Sequence, residues 1–287
     1  MTALRELLAR PDIVVAPGVF DGLSARLVAE AGFPAAYLSG AGICYTRFAV
    51  PDIGLVSMTE VADTLAAIRE RATIPVIVDI DTGFGNALNV QRTVRLFEQR
   101  GASALQLEDQ STPKRCGHLA GKTLVPAAEM VGKIKAALDS RQSPDTLLIA
   151  RTDSIAVEGF GAALDRAAAY AEAGADMLFV EAPTSREQMK EIAGRFGLKV
   201  PVITNMVEGG NTPLLSASEL QGLGFKLVIF PGGTVRALAF ALRDYLASLK
   251  ANGTTAPYRD RMLDFAGLND LLGTDEFRTR GRRYAGD

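Results

Sequence analysis

Eight short runs of apolar and β-branched residues, each followed by a stretch with helical spacing of Leu, Ala, Val and Ile, predict an α/β domain folded as a (β/α)8 TIM barrel. Two further observations support that class. The runs are continuous rather than alternating, as parallel strands covered outside by helices require. Polar residues recur at their downstream ends, where such barrels carry their chemistry. A doubly wound sheet is the alternative, but Gly83-Phe84-Gly85 lacks the third glycine of a dinucleotide-binding turn. One core suffices for 287 residues, so a single domain over 1–287 is expected.

The elements follow in order. Before the first run, Ile13–Ala16, the segment Met1 to Arg10 carries Glu6 and no long apolar stretch, so no signal peptide is expected. Gly32 closes a helix ahead of Ala35–Ser39, which leads into Gly40-Ala41-Gly42. Ser57 and Thr59 open a helix toward Glu60, before Val76–Asp81. Gly101 precedes Ala104–Asp109, Pro126 starts a helix through Ala137 ahead of Leu147–Thr152, and Gly174 precedes Met177–Glu181. Val202–Asn205 and Leu227–Phe230 complete the set. Ala237–Lys250 makes the last barrel helix, Asn252-Gly253 breaks it, and Tyr258–Leu272 reads as one more amphipathic helix with Met262, Phe265 and Leu268 on a face. A closed ring has no place for it. Residues 252–287 are therefore expected as a helical extension that packs across the barrel mouth or on another subunit.

Charge and cysteine usage exclude several classes. A formal net charge of −2 offers no basic field for nucleic acid. The two cysteines, Cys44 and Cys116, cannot make a disulfide framework, which suits a reducing, cytoplasmic setting. No uncharged apolar segment reaches the ~18 residues of a membrane span.

The only histidine lies beside one of those cysteines, in Lys114-Arg115-Cys116-Gly117-His118. Adjacent cations favour a thiolate, so Cys116 reads as a reactive thiol with a lowered pKa; the alternative, a small buried apolar residue, suits this polar, Gly-containing stretch poorly. Strand alternation points Asp79 and Asp81 the same way. With Glu108 they form a hard, all-oxygen cluster suited to Mg2+ or Mn2+. A lone Cys and a lone His do not supply a zinc site. Arg151 offers a fixed fork for a carboxylate, and Ser39 with the Gly40 backbone offers neutral donors. Together these describe a site for a small anion chelated to a metal.

The loop from Lys114 to His118, followed by Gly121-Lys122, resembles the signature of the isocitrate lyase and phosphoenolpyruvate mutase superfamily. The resemblance extends to Tyr37-Leu38-Ser39-Gly40, Pro51-Asp52-Ile53-Gly54, Asp79 to Gly85, Asn89 to Thr93, Glu108-Asp109-Gln110, Ala150 to Asp153 and Asn205 to Gly210, and so covers nearly the whole chain. It is closest to the short lyase members that act on 2-methylisocitrate and 2,3-dimethylmalate. It implies that Asp79 and Asp81 hold Mg2+ with Asp52 and Glu108 around it, that Ser39, Gly40 and Ala41 cradle the α-keto acid, and that Arg151 binds a carboxylate. It also implies that Lys114, Cys116 and His118 ride on a mobile loop with Cys116 as the acid, and that Glu181 and Asn205 border the substrate. The helix after the barrel is exchanged between subunits in that family, which implies a homotetramer, a dimer of dimers.

The expected reaction is cleavage of a 2-hydroxy di- or tricarboxylate to an α-keto acid such as pyruvate and a second carboxylic acid. Cys116 protonates the carbanion, and Tyr37, Glu108 or a metal-bound water takes the hydroxyl proton. The alternative on the same scaffold is oxaloacetate hydrolysis or decarboxylation; hydrolase members have a serine near the end of strand eight where this chain has Pro231. A non-catalytic binding barrel is disfavoured because Asp81 and Cys116 are both present. Ala41 replaces a glycine of the 2-methylisocitrate lyases, and apolar Leu119 and Ala120 replace a polar loop beside the third carboxylate. A methylated dicarboxylate is therefore expected to suit the site, unless Lys122 or Arg236 reaches a third carboxylate.

Overall fold

The computed structural model describes residues 3–285. Eight parallel strands close into a barrel in sequential order: β1 (Val14–Val19), β2 (Ala36–Leu38), β3 (Val76–Asp79), β4 (Ala104–Glu108), β5 (Leu147–Thr152), β6 (Met177–Val180), β7 (Val202–Asn205) and β8 (Leu227–Phe230). The ring closes where Val14 pairs with Leu227 and Ala16 with Ile229. The expected (β/α)8 architecture is the one found. Strands β5, β7 and β8 have the expected bounds, whereas β3, β4 and β6 stop one or two residues early. Asp81, Asp109 and Glu181 therefore leave the ladder and enter the loops that shape the site.

Helix signals in the sequence act as anticipated. Ser57 and Glu60 form a reciprocal cap on Met58–Arg69, and Pro126 precedes Ala127–Ser140. Apolar residues on the outer strand face and the helix faces merge into one core, including Leu38, Leu65, Val78, Val90, Leu105, Ile134 and Val228. A second cluster fills the barrel interior, where Tyr37, Ile77, Ile149, Phe179 and Ile203 pack with Leu4, Leu7 and Leu8 of a short helix, Leu4–Leu8. Arg5 donates to the Pro144 carbonyl at 2.9 Å, and Lys226 donates to the Arg10 carbonyl at 3.0 Å. This helix thus stoppers the end where β5 and β8 begin and leaves the opposite end for chemistry. Its plugging role is not visible in the local sequence.

Contacts divide the chain into one unit through Val235 and another from Arg236. The second holds most of the helix Gly233–Asn252, a 3-10 helix Ala256–Arg261, and helices Phe265–Leu272 and Thr274–Arg282. The single helix expected over Tyr258–Leu272 is interrupted. Met262 is extended (φ −142°, ψ 151°), and Asp264 caps a new helix by accepting the Gly267 N–H at 2.7 Å. Gly273, at φ 72°, ends that helix. Within this unit Tyr258 is buried against Tyr245 and under Arg261, while Phe265 is 88% exposed. Among the described residues no helix is long and apolar enough to cross a membrane.

Candidate active site

Register across the sheet assembles the site from neighbouring strand ends. Asp79 pairs with Gln106, Glu108 with Arg151, and Arg151 with Phe179, so acids and the guanidinium lie side by side over the aromatic floor. The Arg151 guanidinium carbon stands 5.1 Å from the Phe179 ring centre. Its Nε donates to Asp153 Oδ2 at 2.8 Å and its Nη2 to Oδ1 at 3.1 Å, a bidentate pair. Glu108 Oε2 lies 3.4 Å from Nε, and Glu181 Oε2 3.5 Å from Nη2. Against the burial that would raise it, Arg151 and then Lys122 hold Asp153 down at about 2.

Asp79 and Asp81 do face one space, though not through strand alternation. The strand ends at Asp79, and Asp81 adopts φ 47°, with its N–H donating to Asp79 Oδ1 at 3.1 Å. A left-handed aspartate, tolerated because its short carboxylate bonds locally, is what turns the side chain back. A methyl placed on Gly40 would stand 3.5 Å from Asp81 Oδ1 and 3.7 Å from Asp79 Oδ2. Glycine there keeps the approach to both oxygens open. Ser39 is buried and caps a four-residue helix, Gly40–Ile43, accepting the Gly42 N–H at 3.2 Å, with half-buried Ala41 beside it.

Lys114 is drawn into this acidic group. Its Nζ lies 2.6 Å from Asp52 Oδ1 and 2.7 Å from Asp81 Oδ1. Burial opposes its charge, yet Asp81 and Asp52 raise its pKa well above the usual lysine value. Burial also pushes Asp81 up to about 7, with Lys114 opposing, and raises Glu108 well above the carboxylate range, with Arg151 opposing. Among the described residues no three His, Cys, Asp or Glu side chains converge as a ready-made ligand set. What they do offer a hard cation is oxygen donors alone: the Asp79 and Asp81 pair and Glu108 Oε1, which is buried without a hydrogen-bond partner. That fits Mg2+, which takes few direct carboxylates and keeps water around it.

The Cys116 loop is folded down onto the barrel. Gly117 leaves no room for a side chain, since an added Cβ would fall 2.8 Å from Glu181 Cγ and closer still to Arg151 Nη2. His118 Nε2 is 3.3 Å from Glu181 Oε1, and His118 Nδ1 accepts the Asn211 N–H at 3.3 Å. Asn205 donates to Glu181 Oε2 at 3.3 Å. Against burial, Arg151 and His118 hold Glu181 below the carboxylate range. Lys114, Cys116, His118, Arg151, Glu181 and Asn205 thus meet at one mouth, with Asp52, Asp79, Asp81 and Glu108 beside them. Pro231 is half-buried beyond β8 and presses its carbonyl against Gly18 of β1.

Two expectations change. The Cys116 thiol is not lowered: burial raises it, a hydrogen bond from the His118 backbone works the other way, and Asp52 adds to the rise. The flanking cations fail to lower it because Lys114 is taken by Asp52 and Asp81, while Arg115 turns outward to the Ala120 carbonyl. Tyr37 is no base either. Its hydroxyl is buried and donates to Gln106 Oε1 at 3.0 Å, and burial, then Asp79, raise it well above the usual phenol value. Leu119 and Ala120 are exposed to solvent on the outer part of the loop.

The sequence matches the phosphoenolpyruvate phosphomutase family over residues 4–250. The chain belongs to this family. A 2,3-dimethylmalate lyase of Eubacterium barkeri is 45% identical over 98% of this chain and 97% of its own length. A 2-methylisocitrate lyase of Aeropyrum pernix is 46% identical over 96% of this chain and 88% of its own. A crystal structure of 2,3-dimethylmalate lyase, a phosphoenolpyruvate mutase/isocitrate lyase superfamily member, superposes with a TM-score of 0.92 at 37% identity, covering 98% and 94% of the two chains. Phosphonopyruvate hydrolase in complex with oxalate and Mg++ superposes at 0.88 and 31% identity, covering 98% and 97%. The expected family and fold both stand, and the chain is an enzyme of a superfamily of carbon–carbon lyases and mutases.

Residues that sequence reasoning passed over hold these groups in place. Gln106 joins Tyr37 to Asp79, donating to Asp79 Oδ1 at 3.5 Å. Asp153 carries the fork of Arg151, and Asp109 Oδ1 in turn accepts the Asp153 N–H at 3.0 Å. Asp109 Oδ2 takes the Tyr170 hydroxyl at 2.8 Å and Arg166 at 3.3 Å. Polar residues in the middle of apolar runs, such as Gln106, are the signal that would have found them, because a buried amide requires a partner.

Proposed function

We propose that this enzyme is an Mg2+-dependent oxo-acid lyase that cleaves the C2–C3 bond of a 2-hydroxydicarboxylate of the 2,3-dimethylmalate type, giving pyruvate and propionate. The observation that carries the reading is the seating of Gly117 between Arg151 and Glu181, next in the chain to a thiol whose proton burial helps retain. 2-Methylisocitrate is the related tricarboxylate. The smaller acid is favoured because Lys122, which follows the loop, is committed to the Gly117 carbonyl and Asp153 and is not available to a third carboxylate.

In this reading Asp79 and Asp81 hold the metal, with Glu108 and Asp52 around it. When bound, Mg2+ supplies Lewis acidity to the substrate hydroxyl and to the ketone oxygen it becomes. Ser39, Gly40 and Ala41 border the keto-acid half, and Arg151 takes a carboxylate with its remaining donors, its orientation fixed by Asp153. Glu108 Oε1, the buried oxygen without a hydrogen-bond partner, accepts the hydroxyl proton when Glu108 is ionised beside Arg151. The C2–C3 bond then breaks with its electrons on C3, and the Cys116 S–H delivers its proton there. His118, Glu181 and Asn205 hold the loop side of the site, and Lys114 balances the acids. Oxaloacetate hydrolysis is served less well, since Pro231 presents no hydroxyl.

The same reading places the enzyme in the cytoplasm as a homotetramer in which the helix after the barrel is exchanged between subunits. The exposed Leu263, Phe265, Leu268 and Leu272 support this, because an apolar patch of that kind is rarely left to water. Pyruvate and propionate release from 2,3-dimethylmalate with Mg2+ tests the reaction, with 2-methylisocitrate, isocitrate and oxaloacetate as comparators. No keto acid from any hydroxy acid removes the lyase reading.

A further inference from the structure

Lys122 stands just after the Cys116 loop and reaches back to its middle. Its side chain is 1% exposed, and its Nζ donates to the Gly117 carbonyl and, at 3.0 Å, to Asp153 Oδ1. Asp153 is the residue that grips Arg151 through two hydrogen bonds. One ammonium thus joins the loop that bears the thiol to the carboxylate that aims the substrate-binding fork. Burying an ammonium costs several kcal/mol unless it is paired and hydrogen-bonded, so a lysine at this depth needs both acceptors. The Gly117 carbonyl is present only while the loop is down.

We propose that Lys122 is a positioning residue, a latch that stabilises the closed Cys116 loop and couples its closure to the orientation of Arg151 through Asp153. The hinge side is already fixed independently: Gln110 clamps the Arg115 peptide from both sides, donating to its carbonyl at 2.8 Å and accepting its N–H at 2.9 Å. On the Gly117 side the ring of His118 meets Glu181 Oε1 at 3.3 Å and accepts the Asn211 N–H at 3.3 Å, and Lys122 Nζ is the group that ties the Gly117 backbone to Asp153. Arg115 spans the outer part of the loop by donating to the Ala120 carbonyl at 3.0 Å, which stiffens the loop without attaching it to the barrel. Lys122 therefore acts on the reaction through Gly117 and Asp153 rather than by touching substrate. This inference rests on the lyase reading for its relevance to turnover, but its geometry and its test do not.

The test is the alkylation rate of Cys116 by iodoacetamide in the ligand-free enzyme, mapped by peptide mass with buried Cys44 as an internal control. Cys116 is half-buried with the loop down, so the increase in its alkylation rate over wild type reads the gain in opened population. Lys122→Met, which keeps length and loses the charged donors, is expected to raise Cys116 alkylation roughly tenfold or more, as loss of a charge-assisted hydrogen bond predicts. Cys44 should stay protected. Lys122→Arg, with donors for both acceptors, should fall well below the methionine variant. In active enzyme kcat/KM for Lys122→Met should drop by a factor similar to the rise in alkylation. Cys116 reactivity within twofold of wild type in Lys122→Met overturns the latch, as does Cys44 rising in parallel, which marks general loosening. If the methionine variant does not fold, Lys122→Arg against wild type decides: Cys116 alkylated as fast as in urea-unfolded protein overturns it. Because alkylation needs no substrate, a wild-type enzyme that cleaves none of the acids would end the lyase reading and leave this result standing.

Discussion

Gly117→Ala adds one methyl group at the tightest point of the closed loop. Gly117 lies outside the left-handed region, so alanine is allowed by the backbone and the effect is steric. The new Cβ would stand 2.8 Å from Glu181 Cγ and 3.0 Å from Glu181 Cδ, with Arg151 Nη2 nearer still. Neither side chain can step back freely. Arg151 is held by Asp153 and Phe179, and Glu181 by Asn205 and the Ala182 N–H at 3.1 Å. Overpacking of this kind costs about 1–3 kcal/mol, which in kcat/KM is roughly a 5-fold to 150-fold loss. The loop can relieve the clash by lifting, so the barrel itself should be spared. Keto-acid release measures the first effect and thermal unfolding the second, with a shift expected below the roughly 2–4 °C that 1 kcal/mol of global destabilisation gives in domains of about 150–250 residues. A Gly117→Ala enzyme with kcat/KM within twofold of wild type would show that turnover does not need the loop seated as described.

Cys116→Ser should retain substrate affinity yet lose turnover by orders of magnitude, because an alkanol is a far weaker acid than a thiol; direct binding measurements separate the two effects. The pH dependence has a definite sign. Burial and Asp52 raise the thiol, so the folded enzyme holds this proton more tightly than the unfolded chain, and the proton donor persists above the ~8.5 of a free cysteine. The alkaline limb of kcat should lie above that value, and a limb below it would contradict the acid role. Removal of divalent metal by chelation should abolish turnover, with Mg2+ or Mn2+ restoring it; full activity after exhaustive chelation would exclude the oxygen cluster as a required metal site. Asp81→Asn, which keeps a residue that tolerates the left-handed backbone and removes the charge, should stop keto-acid formation while the enzyme still folds.

The barrel was readable because each strand is a continuous apolar run and each helix carries its own start or stop residue, as at Ser57 and Gly101. Both signals are local. Tertiary events escaped the reading. The helix Leu4–Leu8 looks like an ordinary amphipathic start, and only the closed ring gives its three leucines a place to go. The break at Met262 depends on Asp264 preferring a cap to a helix interior, a choice of side-chain hydrogen bonding that apolar spacing does not register. At the site, residue types and strand ends pointed to residues that the fold brings together, but the charges redistribute among them. Lys114, adjacent in sequence to Cys116 by one intervening residue, neutralises Asp52 and Asp81 instead, so proximity along the chain misjudged the thiol. Asp81 faces Asp79 through a left-handed turn, a backbone event that strand alternation cannot anticipate. Asp153 was hidden because its work is to hold another functional group, the Arg151 fork.

The most direct test of the account is the ratio of kcat/KM for 2,3-dimethylmalate and 2-methylisocitrate, measured on the wild-type enzyme at the same Mg2+ concentration by pyruvate release. With Lys122 committed to Gly117 and Asp153, the dicarboxylate is expected to be cleaved at least as efficiently as the tricarboxylate. A preference of about a hundredfold or more for 2-methylisocitrate, equivalent to roughly 2.7 kcal/mol in the transition state, would contradict that and require a cation free to take the third carboxylate.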